Sequence, residues 1–281
     1  MKPAPFEMVR PEEIVEVLDL LARHGGDAKI IAGGQSLVPM MNLRIANPGL
    51  VIDINKIAEL SGIRRDGDRI RIGAMTRQRE VLASQLVASD LPLLAAAATH
   101  IGPVQTRARG TIGGSLAHAD PSAELALVMV TLGADLVVRS AGASRTIGAR
   151  DFFEDALTTA LRPDELLTEI SIPVAAPGTR VAFREYARRH GDFAIASAAV
   201  QLAPSGGLLA GIGGVGSVPH YCHALCAGFA GARSNIASLT GLVRGEIAKI
   251  VALEDRQATG AYRGVLAETA LMDCLEEVQA R

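Results

Sequence analysis

The sequence predicts an α+β protein in two parts, placed at 1–175 and 176–281, and three observations predict it. The chain opens on the order helix, short strand, glycine loop, strand, which is a mixed helix-and-sheet unit. Pro173, Pro177 and Gly178 interrupt the pattern near Val174–Thr179. Beyond that break come consecutive strand-like runs, then helical ones, which describe a smaller α+β domain with an antiparallel sheet. A chain of 281 residues that is 49% hydrophobic buries a large core and has room for two domains.

The elements follow from local pattern. Pro11 to His24 reads as a helix: Pro11 suits the first turn, Glu12 and Glu13 favour its positive end, and Ile14, Val17, Leu18 and Leu21 share a face. Gly25-Gly26 stops it. Lys29 to Ala32 is a short buried strand that runs into a glycine loop, and Leu50 to Ile54 is another. Arg69 to Gly73 alternates polar and apolar, as a half-exposed strand does. Thr76 to Ala88 reads as one helix capped by Thr76, and Leu91 to His100 as a second, rich in alanine. Pro121 to Leu132 is helical, Ala134 to Arg139 a strand, and Arg150–Phe153 with Leu166–Ile172 a loop-and-strand pair. In the second part, Val181–Ala187, Ala194–Leu202 and Leu208–Val215 read as strands, and Asn235–Val251 and Gly260–Val278 as helices.

Composition excludes several functions. The net charge is −2 and no long run of one sign occurs, so the basic face of a nucleic-acid binder is missing. Aromatics are 3% with no Trp, which argues against a stacking platform for single strands. The N-terminus carries Pro3 and Pro5 and no apolar core of signal-peptide length, and no stretch approaches the ~20 apolar residues of a membrane span. The expectation is a soluble, cytoplasmic protein. Three cysteines, Cys222, Cys226 and Cys274, are an odd, sparse set that fits a reducing compartment. His220 and His223 lie near the first two, but the spacing is not that of a metal pair, and no metal site is expected.

Two distant diglycine segments carry the chemistry: Ala32-Gly33-Gly34-Gln35-Ser36 and Thr111-Ile112-Gly113-Gly114-Ser115. Paired glycines let the backbone turn with positive φ and approach a ligand closely. Consecutive free N–H groups in such a turn cradle anionic oxygen. Two such segments suggest one ligand with more than one phosphate, gripped from two sides. Neither continues as Gly-Lys-Ser/Thr, so neither is a Walker loop. Gly211 to Gly216 matches G-x-G-x-x-G in form. Pro219 follows at once and no acid appears before Glu246, so this run reads as strand and turn.

Both segments, with their spacing and flanks, resemble the FAD-binding medium subunit of molybdenum hydroxylases, the group of the carbon monoxide dehydrogenase and xanthine dehydrogenase flavoprotein subunits. That family reads Ala-Gly-Gly-His-Ser followed by Leu and a Pro; here Ala32 to Pro39 matches with Gln35 at the His position. Its second motif reads Thr-Ile-Gly-Gly-Asn; here Ser115 stands at the Asn position. Ser115 to Glu124, Asp164 to Ile170, Gly191-Asp192-Phe193-Ala194 and Asp255 to Arg263 are similar to later family segments. The stretch His220–Asn235 fits least.

The resemblance implies an FAD domain of the vanillyl-alcohol-oxidase type in two subdomains, about 1–57 and 58–175, and a small C-terminal domain. It implies non-covalent FAD contacted by Ile30, Ile31, Ala32, Gly33, Gly34, Gln35, Ser36 and Leu37, by Ile101, and by Thr111, Ile112, Gly113, Gly114 and Ser115. The N–H groups of 33–36 and 111–115 would hold the pyrophosphate. Asp120, Glu124, Leu167, Arg184 and Phe193 complete the implied set, with Arg184 as a cation near the flavin ring and Phe193 as a cover on one face. None of these acts as an acid or base on the organic substrate, so no catalytic residue is expected in this chain. The implied partners are a large molybdopterin-binding subunit holding a molybdenum cofactor and a small subunit holding 2Fe–2S clusters, arranged as a dimer of heterotrimers. Electrons would pass from those clusters through FAD to an external acceptor.

Plainer readings stand beside these. Ile101 and Leu167 also fit a core, Arg184 and Asp192 a surface pair, Asp120 a helix cap, and Asp53 a structural role. His118 reads as packed or hydrogen-bonded rather than catalytic. A self-contained FAD-dependent oxidase or reductase, and a non-catalytic scaffold whose glycines are only turns, are the rival functions.

Overall fold

The computed structural model describes residues 2–189, 191–232 and 235–280. Among them a three-stranded parallel sheet places Leu50–Asp53 between Glu7–Val9 and Ala28–Ile31. The helix Ile14–His24 covers it with Ile14, Val17, Leu18 and Leu21, the face expected from spacing. It begins later than Pro11, because Glu13 is still extended at φ −117° and ψ 144°.

A five-stranded antiparallel sheet follows, in the order Ile63–Asp66, Arg69–Gly73, Leu166–Pro173, Asp135–Arg139, Ser144–Gly148. Its central strand bulges between Leu167 and Glu169. Such an irregularity re-aims side chains and is common beside functional sites. The expected helix 76–88 divides into Gln78–Ala83 and Gln85–Asp90, because Ser84 is extended and its hydroxyl accepts from Val87 N–H, capping the second piece. Thr76 is not the cap; its hydroxyl bonds Gly62 instead.

The second diglycine segment is not a loop. It forms the first turn of the helix Ile112–His118, with Thr111 as N-cap. A four-stranded antiparallel sheet, Arg180–Tyr186, Ala196–Leu202, Leu208–Gly213 and His220–Tyr221, carries the helices His223–Ala232, Ile236–Ile247 and Gly260–Ala280. The α+β class and the antiparallel C-terminal sheet are those the sequence predicts. The run 211–216 is strand and turn, with Gly214 at φ +75°. The helix His223–Ala232 carries no clear signal in the sequence: its small residues give no strong apolar face.

The helix Glu124–Leu132 binds the two halves. Every residue from Leu125 to Leu132 is buried, so this helix is apolar all round and lies inside the molecule. It packs in one core with the five-stranded sheet and with Phe183 and Ala199 of the C-terminal sheet. Leu127 lies against Gly211 and Gly213, where a Cβ would come within 3.0 Å and 3.2 Å of its methyl groups. Glycine at both positions is what lets helix and sheet approach. Leu127→Ala is therefore expected to lower stability by ~2–5 kcal/mol, read as a fall in urea midpoint. A midpoint within error of the parent would show that this helix does not tie the halves together.

Candidate functional site

A cleft of about 890 Å³ opens between the parallel sheet, the helix Ile112–His118 and the loop that joins the first two strands of the C-terminal sheet. Its size is that of a small-molecule or cofactor pocket. Both diglycine segments, Ile101, Leu167, Asp120 and Glu124 lie on its wall, joined by Gly191, Asp192 and Phe193 from the second half.

The first diglycine segment leaves the strand Ala28–Ile31 and enters the short helix Leu37–Asn42. A Cβ on Gly33 would lie inside the Arg109 carbonyl and 2.9 Å from Gly110 Cα. No side chain fits there, and the first segment touches the residues just before the second; a Cβ on Gly114 would lie 3.5 Å from that of Ala32. Gly34 has φ +72°. Val38 N–H returns to Gly34 O and Met40 N–H to Ser36 O, closing the turn. Among the described residues, the N–H groups of Gly33, Gly34, Gln35 and Ser36 donate to no protein acceptor, and all four residues face the cleft. Together they form a neutral cradle for an anion.

The second segment departs from expectation. Ile112 N–H donates to Thr76 O at 3.0 Å and Gly113 N–H to Ala74 O at 2.8 Å. Gly114 N–H donates to the Thr111 hydroxyl at 3.0 Å, and Ser115 N–H to Thr111 O at 3.1 Å. The first-turn amides, which lack partners within their own helix, are satisfied by a neighbouring chain segment and by the cap. A backbone grip on phosphate from 112–115 is therefore corrected. What this turn offers the cleft is a bare glycine surface and the Ser115 hydroxyl, which makes no protein hydrogen bond among the described residues. Gly113 serves close packing: its Cβ would fall 2.5 Å from that of Ala74.

The structure brings most of the expected set together. Ile30, Ala32, Gln35, Ser36 and Leu37 line the cleft, as do Thr111, Gly113 and Gly114. Ile31 and Ile112 do not; Ile31 pairs in the sheet with Asp53, and Ile112 is fully buried. Arg184 is also off the cleft. Its strand turns it toward the helix Gly260–Ala280, where its Nη2 meets Glu277 at 2.6 Å; its partner is Glu277 and not Asp192, which lies on the cleft wall. Arg188, past the strand's end, is the arginine on the wall. Asp120 caps a turn rather than a helix, accepting from Ser122 N–H. Asp53 accepts from Arg10 and Asn55 away from the cleft. His118 lies on the wall. Lys29, Gln78 and Gln257 also line it. Spacing gives no signal for Gln257, which arrives on the loop before the last helix.

Two carboxyls here are abnormal. Burial pushes Glu124 up to about 7, helped by the charge of Asp120. Burial and the charge of Glu124 push Glu185 up to about 8, and Glu185 Oε2 is enclosed without a hydrogen-bond partner. Among the described residues neither has a neighbouring cation to hold it ionised, so a proton is retained instead.

Unengaged amides, a glycine-only contact and a cleft of this size make an α+β protein suited to a phosphate-bearing cofactor. The chain matches the FAD binding domain in molybdopterin dehydrogenase over residues 4–175 and the CO dehydrogenase flavoprotein C-terminal domain over 181–278. It is 35% identical to the carbon monoxide dehydrogenase medium chain of Afipia carboxidovorans, covering 100% of this chain and 99% of that one. It is 44% identical to caffeine dehydrogenase subunit beta of a Pseudomonas species, over 71% of this chain and 68% of that one. Reconstituted CO dehydrogenase from Oligotropha carboxidovorans superimposes with a TM-score of 0.94 at 34% identity, covering 100% of both chains. The protein belongs to the FAD-binding medium subunits of molybdenum hydroxylases and is an oxidoreductase subunit, the family identified from the sequence.

The raised carboxyls carry a pH signature. From the ordinary glutamate value of 4.5 up to about 8, the folded chain keeps protons that the unfolded chain has released. Stability therefore falls as pH rises through that window. Glu185→Gln is expected to flatten that decline in melting temperature between about pH 5 and 8. A decline parallel to the parent's would remove Glu185 from this account.

Proposed function

We propose that the cleft holds FAD with its diphosphate on the N–H groups of Gly33, Gly34, Gln35 and Ser36. The observation that carries this is the meeting of those unengaged amides with the backbone of Arg109–Gly110, inside a cleft of about 890 Å³. The hydroxyls of Ser36, Thr111 and Ser115 add donors along the same wall. Ile101 and Leu167 supply apolar surface for the flavin, and Phe193, 64% exposed, stands at the rim as its cover. Asp120 and Glu124 offer polar contacts between these ends. When bound, FAD would supply the redox chemistry.

The protein's own task is to bind, orient and shield. We infer that it serves as the electron-transfer subunit of a cytoplasmic complex. Its partners are then a large molybdopterin-binding subunit and a small 2Fe–2S subunit, assembled as a dimer of heterotrimers. Electrons arrive from the small subunit's clusters and leave through FAD to NAD⁺, a quinone or oxygen. Whole-length similarity to a carbon monoxide dehydrogenase medium chain supports this reading. Among the described residues, no helix is long and apolar enough to cross a membrane.

The chain purified alone is expected to take up FAD and show flavin absorbance, yet to hydroxylate nothing until both partners are added. Gly33→Ala drives a methyl into the Arg109 carbonyl and is expected to weaken FAD binding at least about tenfold, ~1.4 kcal/mol. A parent that stays colourless after incubation with FAD, or a lone chain that oxidises substrate, would overturn the assignment.

A further inference from the structure

Arg263 is a buried cation that does not line the cleft. It sits in the last helix, Gly260–Ala280, and its side chain is 4% exposed. One guanidinium nitrogen, Nη1, donates to Ile195 O and to Gly214 O, each at 2.7 Å. The other, Nη2, donates to Asp255 Oδ2 at 2.9 Å. Each acceptor belongs to a segment tied to the cleft wall.

Ile195 lies two residues past Phe193. Its own N–H is fixed on Tyr186 O at 2.7 Å, and the preceding Ala194 O accepts from the Ser122 hydroxyl at 2.9 Å. Gly214 N–H donates to Pro121 O at 2.9 Å, so the Gly214 turn holds the segment that carries Asp120 and Glu124. Asp255 Oδ1 accepts from Gln257 N–H at 2.8 Å and Ala258 N–H at 3.1 Å, which shapes the hook presenting Gln257. Arg188 braces that hook from the other side through Arg256 O and Gln257 O. Three walls of the cleft are thus referred to one guanidinium that lies behind them.

We propose that Arg263 is the positioning residue for the C-terminal face of the cofactor cleft. It sets where Phe193, the Asp120–Glu124 segment and Gln257 stand relative to one another, and so how far that face is open to an external oxidant. The functional part of this inference rests on FAD occupying the cleft; the positioning part does not. A planar fork is required, since one rigid group must satisfy acceptors in three directions. Lysine presents a single point charge and cannot span them. Without the fork, the Ile195 and Gly214 carbonyls are left buried and undonated, at a cost concentrated in those turns.

The test uses the full chain stripped of flavin. Because the sequence has no Trp, Phe193→Trp creates a single indole reporter at the cleft rim. Arg263→Lys and Arg263→Ala are compared with Arg263 in that background, by indole fluorescence anisotropy and by amide hydrogen exchange. Segments 192–196, 213–216 and 255–258 are expected to exchange about tenfold faster in Arg263→Lys, the scale of one lost buried hydrogen bond. The reporter's anisotropy is expected to fall, while the strand Leu166–Pro173 and the helix Ile14–His24 exchange as in the parent. Unchanged exchange at the three segments overturns the proposal. Equal acceleration across all segments also overturns it, since Arg263 is then only a core residue. Arg263→Lys decides the question if Arg263→Ala fails to fold. FAD affinity of the Arg263 parent is titrated separately; failure there refutes the cofactor reading and leaves the positioning result standing.

Discussion

The structure turns on a place where two backbones meet with no room for a side chain. Gly33 lies against the Arg109 carbonyl and Gly110 Cα. That proximity is reinforced rather than incidental. Arg77 sends one nitrogen to Arg109 O at 2.5 Å and the other to Asn55 Oδ1 at 2.6 Å, and Asn55 in turn donates to Ala32 O at 2.8 Å. The bracket spans both diglycine segments and is anchored by Asp53, which accepts from Asn55 and from Arg10. Burial draws Arg77 below the usual guanidinium range, and the charge of Arg109 adds to it. Two segments about eighty residues apart in the chain become one wall because a carboxylate, an amide and a guanidinium each satisfy the next.

From this contact the division of labour follows. The first segment keeps its amides because the strand ends before it and the short helix begins after it. The second loses two of its amides, those of Ile112 and Gly113, to Thr76 and Ala74 alongside, and two, those of Gly114 and Ser115, to Thr111 at its own start. The same residue pair, Gly-Gly, therefore does two jobs. At Gly34 it gives conformational freedom; at Gly33 and Gly113 it gives close approach, to Arg109–Gly110 and to Ala74. The helix Glu124–Leu132 then carries the wall onward to the C-terminal sheet, since its first residue faces the cleft and the remainder lies in the shared core.

The first wall was legible in the sequence because its signals are local: an apolar strand, two glycines and a hydroxyl in succession. The amphipathic helix over Ile14 to Leu21 and the three C-terminal strands were legible for the same reason. What escaped depends on distant partners. Nothing near Thr111 to Ser115 announces that Thr76 and Ala74 will accept the N–H groups of Ile112 and Gly113. Nothing near Arg184 announces Glu277, which arrives from the last helix. Alternation along Arg180–Tyr186 assigns that side chain to a face, but which face meets the cleft is set by tertiary packing. The roles of Arg188 and Gln257 are hidden in the same way, since the loop that holds each finds its partner in the other.

Charge within the cleft completes the argument. The unengaged amides of residues 33–36 bear no formal charge, so the anion site proposed there needs no buried cation. Cations do reach the wall, at Lys29 and Arg188. Asp120 and Glu124 on the wall, with Glu185 behind them, would oppose an anionic ligand if fully ionised. Burial removes much of that opposition by holding protons on Glu124 and Glu185 near neutrality. A neutral carboxyl is also a hydrogen-bond donor, which an ionised one is not. The burial that makes these residues costly as anions makes them compatible with the diphosphate proposed for this cleft.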